Sequence, residues 1–206
     1  MTGRFDLRLV FCLWLCSTLG AQVIEFESNG LRYQTLTRSG LTVMFAQLPV
    51  VVQHYAILQV AVSNGGRSTC SMKPEDFSYK RADGQVVRGV RASEVVDTLI
   101  EKGNRGDVVK LVSTYESALY GISRLHSPSG YEQRRQAALA EVSSTRLKAA
   151  AAASAIAFVP SRLLAGQSTD GAVFFATAGK HLGPGRLSVR TPAGIFEFEP
   201  VTDAPQ

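Results

Sequence analysis

The side chains of this 206-residue chain with the most chemical potential are His54, His126, His181, Cys70, Glu75 and Asp76. A bound metal needs ligands that recur at short spacing or gather in a Cys/His cluster. The three histidines lie far apart, and none has a partner three or four residues away, so each reads as a surface or turn residue. Gly166-Gln167-Ser168-Thr169-Asp170 has the outline of a nucleophile loop but lacks the second glycine and the strand-to-helix setting. Ser168 is therefore expected in a turn. Leu182-Gly183-Pro184-Gly185-Arg186 has the glycines of a phosphate loop but neither its lysine nor a following helix. Glu75-Asp76 offers a general acid or a calcium ligand, yet no second acidic cluster stands at a fitting spacing. A capped turn after Pro74 is the expectation there. Cys70 has no second Cys and no nearby His and Asp cluster to make it a nucleophile, and reads as a small, half-buried residue at a strand end. These residues assign no catalytic group, metal or cofactor.

Residues suited to recognition are easier to find. Asp107 is expected to cap a helix whose apolar stripe is Val108, Leu111, Val112, Tyr115, Leu119 and Ile122. Tyr115 belongs to that stripe, whereas Tyr120 lies off it and is the better exposed contact. Arg134, Arg135, Arg146 and Lys148 lie further along the same helical region and complete a candidate interaction surface. Tyr115, Glu116 and His126 would instead line a cleft if the helices and the strands enclosed one.

The elements that must hold these residues change character twice along the chain. Residues 22–48 read as strands, with a turn at Ser39-Gly40 and a close at Leu48-Pro49. Tyr55 to Ser63 follows, placing Ile57, Gln59 and Ala61 on one face and Leu58, Val60 and Val62 on the other. Asn64-Gly65-Gly66 is a turn, and Ala82-Asp83-Gly84 joins two further strands. From Ser93, the expected N-cap, the pattern turns helical. A third helix is expected from about Tyr131 to Ala157, and its alanine run, Ala149 to Ala153, lets a neighbour approach closely. Strands return after Pro160, with Gly171 to Ala176 as a buried one. Beyond it, Ile195, Glu197 and Glu199 alternate with Phe196 and Phe198.

The first 21 residues carry an address. Arg4 and Arg8 precede an apolar run from Leu9 to Leu19 that ends at Gly20 and Ala21, the form of a secretory signal peptide. The run is shorter than the roughly 20 residues a bilayer span needs. Cleavage is expected near Gly20 or Ala21, leaving an extracytoplasmic chain, periplasmic or secreted. Lipidation at Cys16 is disfavoured by Leu15, where a small side chain is required. Cleavage would leave Cys70 as the sole cysteine, so no internal disulfide can form. No second long apolar segment follows, and the mature chain is expected to be soluble.

The net charge of +5 is concentrated. Residues 22–79 and 158–206 each balance four basic against four acidic side chains, whereas residues 80–157 hold twelve against eight. That surplus suits an envelope protein or an anionic envelope polymer. It lacks the dense basic stripe that nucleic acid would require.

Three pieces resemble a secreted bacterial immunoglobulin-like module. They are Val60 to Gly65, then Phe77-Ser78-Tyr79 with Ala82-Asp83-Gly84, then Leu163 to Gly166 with Gly171 to Phe175. The resemblance implies a core strand ending in a turn, a strand with its hairpin, and a loop leading into a strand of the opposite sheet. It also implies an extracytoplasmic binding or accessory role without catalytic residues. Gln167 departs from the acidic residue common in that module, and the helical stretch is foreign to it.

The expected architecture is α+β, with residues 22–206 forming one immunoglobulin-like β-sandwich interrupted by a three-helix insertion over 93–157. The expected role is non-enzymatic binding, with the sandwich as scaffold and the insertion as interaction surface. Two alternatives stay open. One is a small-ligand protein or enzyme with a cleft between insertion and sandwich. The other is an envelope component that oligomerises through the alanine-rich helix. The partner and the oligomeric state are not legible.

Overall fold

A computed structural model describes residues 22–120, 136 and 144–201, except for the side chains of residues 117, 119 and 120. The fold is α+β, with mostly antiparallel strands in several sheets. Strands β1 (Ile24–Ser28), β2 (Leu31–Arg38), β3 (Leu41–Val52) and β4 (Tyr55–Asn64) run as a meander. Asn29-Gly30 and Ser39-Gly40 make its first two turns. All four residues have positive φ, between 50° and 79°. Two-residue turns of that form match the twist of the strands they join. Contrary to the sequence expectation, β3 does not close at Pro49. It continues to Val52 through a register shift between Gln47 and Val51, where a bulge accommodates an exposed proline.

β9 (Ser168–Ala176) pairs with β4 from Tyr55↔Ala176 to Ser63↔Ser168 and completes a five-stranded sheet in the order β1-β2-β3-β4-β9. Ser168 is thus the first residue of a strand, not a turn residue. A four-stranded sheet has the order β11-β10-β6-β7, from β6 (Phe77–Arg81), β7 (Val86–Arg88), β10 (Gly185–Thr191) and β11 (Gly194–Glu197). The short strands β5 (Cys70–Met72) and β8 (Ser161–Leu163) form a third pairing. Asn64 ties the end of β4 to this pair by donating to the carbonyls of Ser68 and Leu163 at 2.8 and 3.1 Å.

Apart from β1, whose residues are exposed or half-buried, the five-stranded sheet is largely buried on both faces. Val43, Phe45, Leu58, Val60, Val173 and Phe175 share a core with Phe77, Tyr79, Leu187, Val189 and Phe196 of the four-stranded sheet and with Phe198 just beyond it. Tyr33, Met44, Tyr55, Ile57 and Phe174 share the opposite core with helices α1 (Ala92–Lys102) and α4 (Thr145–Ile156). Double-sided burial explains why β4 and β9 are nearly continuous apolar runs.

The helical layer differs in detail from the sequence reading. The N-cap of α1 is Arg91, with no side-chain cap bond, and Ser93 is exposed inside the helix. The next segment is α2 (Arg105–Val109), a π-helical turn (Lys110–Thr114) and α3 (Tyr115–Tyr120). Its cap is Asn104, and Asp107 is the reciprocal third residue of a capping box: Asp107 N–H donates to Asn104 Oδ1 at 3.1 Å, and Asn104 N–H donates to Asp107 Oδ2 at 2.9 Å. Asp107 is buried because it also accepts from Gln53 Nε2 at 2.6 Å, which pins the helix start to the β3–β4 turn. Helix α4 begins only after Ser144, whose ψ of 133° is extended, so no single helix runs unbroken from Tyr131 to Ala157. Ala149, Ala150, Ala152, Ala153 and Ala155 are buried. The alanine face offered for oligomerisation is therefore occupied within the chain.

The chain enters and leaves the helical layer along the outer edge of β9. Gly89 bridges Phe175, and Val90 N–H donates to the Phe174 carbonyl at 2.9 Å. On the return, Ala157 bridges Ala172, and Phe158 N–H donates to the Ala172 carbonyl at 2.8 Å. Glu75, in the 3-10 turn Pro74–Asp76, accepts from Arg91 Nε at 2.7 Å beside the outgoing strap. That hydrogen bond holds the Glu75 carboxyl below its ordinary range.

Candidate functional site

Two regions emerge from this frame: the outer face of the helical layer, and a cavity at one end of the space between the two larger sheets. On the helical layer, Arg146 is exposed and Lys148 half-buried in the first turn of α4, immediately before the buried alanines. The side chain of Tyr120, and Arg134 and Arg135, lie outside the described residues. Lys102, Arg105 and Lys110 are exposed on the same layer, as are the aliphatic residues Ile100, Val109 and Leu147. Glu94, Asp97 and Glu101 are exposed there too, so the charge of the described face is mixed.

Of the three residues proposed to line a cleft, Tyr115 is buried in the contact between the helices and the sheet. Tyr115 is 2% exposed and donates its hydroxyl to Asp170 Oδ2 at 3.0 Å. Nearby, Tyr33 donates to the Ala118 carbonyl at 3.0 Å and lies 3.2 Å from Gln59 Oε1. Burial pushes the Tyr33 pKa up to about 12, so the phenol remains a donor. These bonds seal the helix layer to the sheet. Glu116 is half-buried, and His126 falls outside the described residues.

The cavity has a volume of about 310 Å³. Its floor comes from the inward positions of three adjacent strands: Gln34 on β2, Phe45 and Gln47 on β3, and Ala56 on β4. The opposite wall is His181-Leu182-Gly183 with Val201, and Gly30 to Arg32 form its end. The glycine loop that failed as a phosphate loop thus lines a cavity. Tyr79 fixes it by donating to the Gly183 carbonyl at 2.8 Å, and Gln47 Nε2 donates to the Tyr79 hydroxyl.

Gln34 is the unusual member of that lining. It is 1% exposed, and its amide nitrogen donates to Glu25 Oε1, yet its carbonyl oxygen has no hydrogen-bond partner among the described residues. A buried acceptor left unmatched costs about 1–3 kcal/mol. Sequence reading passed over Gln34 because it sat in a strand that looked only partly alternating. The available signal was a polar residue two positions before the buried Leu36, on the same face of β2.

Other sequence candidates take structural places. His54 lies in the β3–β4 turn, its ring 4.0 Å from that of Tyr55. Asp76 Oδ2 accepts from Lys73 N–H at 2.9 Å, the capped turn expected there. Cys70 is more buried than expected, and burial followed by the nearby Asp76 charge pushes its thiol pKa up. No group of three or more metal-ligating side chains is assembled among the described residues. Nor does any described helix have the length and apolarity to cross a membrane.

No family model and no curated protein matches the chain. A solved structure, that of the yjhA protein from Bacillus subtilis, is similar over 81% of this chain and 77% of its own length, at 11% identity and a TM-score of 0.31. A likeness that distant carries no argument about fold or role.

Proposed function

We propose that this is an extracytoplasmic, non-enzymatic binding or accessory protein. Its scaffold is an immunoglobulin-like sandwich, and the outer face of its helical layer is the interaction surface. The reading of compartment rests on the leader, whose residues lie outside those described. The sandwich is supported by two antiparallel sheets that share one core; of the three resembling pieces, the third falls beside the first and not in the opposite sheet that the resemblance implies. Of these, β4 and β9 lie side by side in one sheet, and β6 lies in the other.

The observation that carries the proposal is the seating of α4. Its alanine side is locked against α1 and the sheet, so exposed Arg146 is held on a rigid platform without the entropy cost of a mobile arm. An envelope protein with an acidic surface, or an anionic envelope polymer, is the partner class.

Charge reversal tests this better than excision, because removing residues 93–157 would bare Tyr33, Met44, Ile57 and Phe174. Arg146→Glu, combined with Arg134→Glu and Arg135→Glu, is expected to weaken capture of the partner from an envelope extract by about tenfold or more, at roughly 1 kcal/mol for each basic side chain near an anionic surface. Thermal stability should stay within about 0.5 kcal/mol for Arg146→Glu alone, as for most exposed substitutions. Equal capture by the reversed protein would remove the helical face from consideration.

A further inference from the structure

The outer face of the four-stranded sheet lies across the molecule from the helical layer, and strand alternation sets what it presents. Phe77, Tyr79, Val87, Leu187 and Val189 point into the core. Ser78 and Lys80 on β6, Arg88 on β7, and Arg186, Ser188 and Arg190 on β10 therefore point outwards. The register draws them together. Ser78 stands opposite Arg88 on one side and Ser188 on the other, and Lys80 stands directly opposite Arg186. Arg190 lies two residues beyond Ser188 on the same face, opposite Ile195. Exposed cations thus ring a pair of half-buried serines.

Like charges directly opposite each other weaken a sheet, yet Lys80 and Arg186 share one cross-strand position. The ion pairs among the described residues, Arg81 with Asp83 and Arg91 with Glu75, take up none of these cations. Asp76 and Asp83, at the two ends of β6, accept from the Lys73 and Gln85 N–H groups. Glu197 and Glu199 are exposed on the β11 side. The charges that project from β7, β6 and β10 on this face are all positive.

The face restricts its partner in three ways. Its charge calls for an anion. It is an open sheet without walls, so a small molecule would keep most of its surface in water, unlike the occupant of a pocket. Its centre is charged and, among the described residues, it exposes no aromatic side chain, the reverse of a protein–protein interface with its charge-depleted core. Val86 and Ile195, 56% and 52% exposed, are aliphatic and stand on the two outermost strands of the same face. Basic side chains that meet phosphates, flanked by apolar ones that enter the headgroup boundary, suit an anionic bilayer.

We infer that this face docks the protein on a membrane surface rich in anionic lipid headgroups. Lys80, Arg88, Arg186 and Arg190 meet the lipid phosphates, and Val86 and Ile195 settle between the headgroups. The helical layer, on the far side of the five-stranded sheet, then points away from the bilayer and stays open to a partner.

The test is co-sedimentation with vesicles of phosphatidylcholine, or of equal parts phosphatidylcholine and phosphatidylglycerol. The anionic vesicles are expected to bind the protein about tenfold or more tightly than the neutral ones, and to lose it in about 1 M salt, where the screening length is about 3 Å. Lys80→Glu should weaken binding about fivefold or more, the contribution of one basic side chain at an anionic surface. That substitution replaces a cross-strand repulsion with an attraction, so its Tm should stay at or above that of the parent protein, and lost binding is then not lost folding. Arg88→Glu, on another strand, should weaken binding as much. Arg146→Glu should bind vesicles as the parent does, so this inference and capture through Arg146 fail separately. Absent binding, or equal binding to neutral and anionic vesicles, would overturn the inference. Unchanged binding by both Lys80→Glu and Arg88→Glu would do the same, and is the result expected if a retained leader does the binding. Capture by soluble polyphosphate with the vesicles left bare would make the partner a polymer and overturn it too.

Discussion

Phe174→Ala is expected to destabilise the protein by about 3–5 kcal/mol, the range for emptying a buried aromatic site. In a domain of this size that lowers Tm by roughly 6–20 °C. The neighbouring Phe175→Ala should cost a similar amount. Phe174 is 1% exposed and packs towards the helices, with its ring edge-on to Tyr55 at 6.3 Å. Phe175 is fully buried on the other face, edge-on to Tyr79 at 6.5 Å. The pair therefore reports on the two cores separately. Urea and thermal denaturation of both variants decide the matter. A loss below about 1 kcal/mol for Phe174→Ala, beside a full loss for Phe175→Ala, would mean that the helical layer is not stably docked.

The second large effect is expected at Gly89. A Cβ placed there would lie 2.2 Å from the Pro74 carbonyl oxygen and 2.8 Å from Val173 Cγ1. The first obstacle is backbone, held by the short 3-10 turn, and cannot rotate away as a flexible side chain would. Gly89→Val should therefore cost about 3 kcal/mol or more, at or above the upper range for overpacking. It should also loosen the bridge to Phe175, which amide hydrogen exchange at Val90 would register as lost protection. Arg91→Ala, on the same strap but exposed, serves as the control and should change stability little. Equal stability of Gly89→Val and the parent protein would show that the strap does not run against Pro74.

These two positions also mark where sequence reading succeeded and where it stopped. The opposed faces of β4 were legible because alternation assigns Ile57 and Leu58 to different sides whatever lies beyond them. The wet and buried faces after Gly194 were legible for the same reason: Glu197 and Glu199 are exposed, while Phe196 and Phe198 are buried. Alternation cannot say what covers a face, however. The helical stretch read as an insertion because its composition changes abruptly, yet its helices are the third layer that buries one side of the main sheet. Pro49 read as a strand end because proline lacks a donor, and a bulge removed that objection. The cavity was invisible for a different reason. Its lining joins residues 30–57 with 181–183 and 201, and only the pairing of distant strands brings them together.

The two straps along β9 bear on how the chain reaches its folded state. The meander β1 to β4 is built from neighbours in sequence and can form with little loop-closure cost. β9 pairs with β4 only after more than a hundred intervening residues have been gathered, as Tyr55↔Ala176 shows. Until then β4 presents an unpaired, strongly apolar edge, the kind of edge that pairs with another chain. Docking of β9, with its straps and helices, is then the slow step that ends this exposure. Refolding at rising protein concentration, followed by light scattering, should show losses to aggregation that vanish once β9 is protected. Aggregation independent of that step would place the vulnerable edge elsewhere, with β1 the next outermost strand of the sheet.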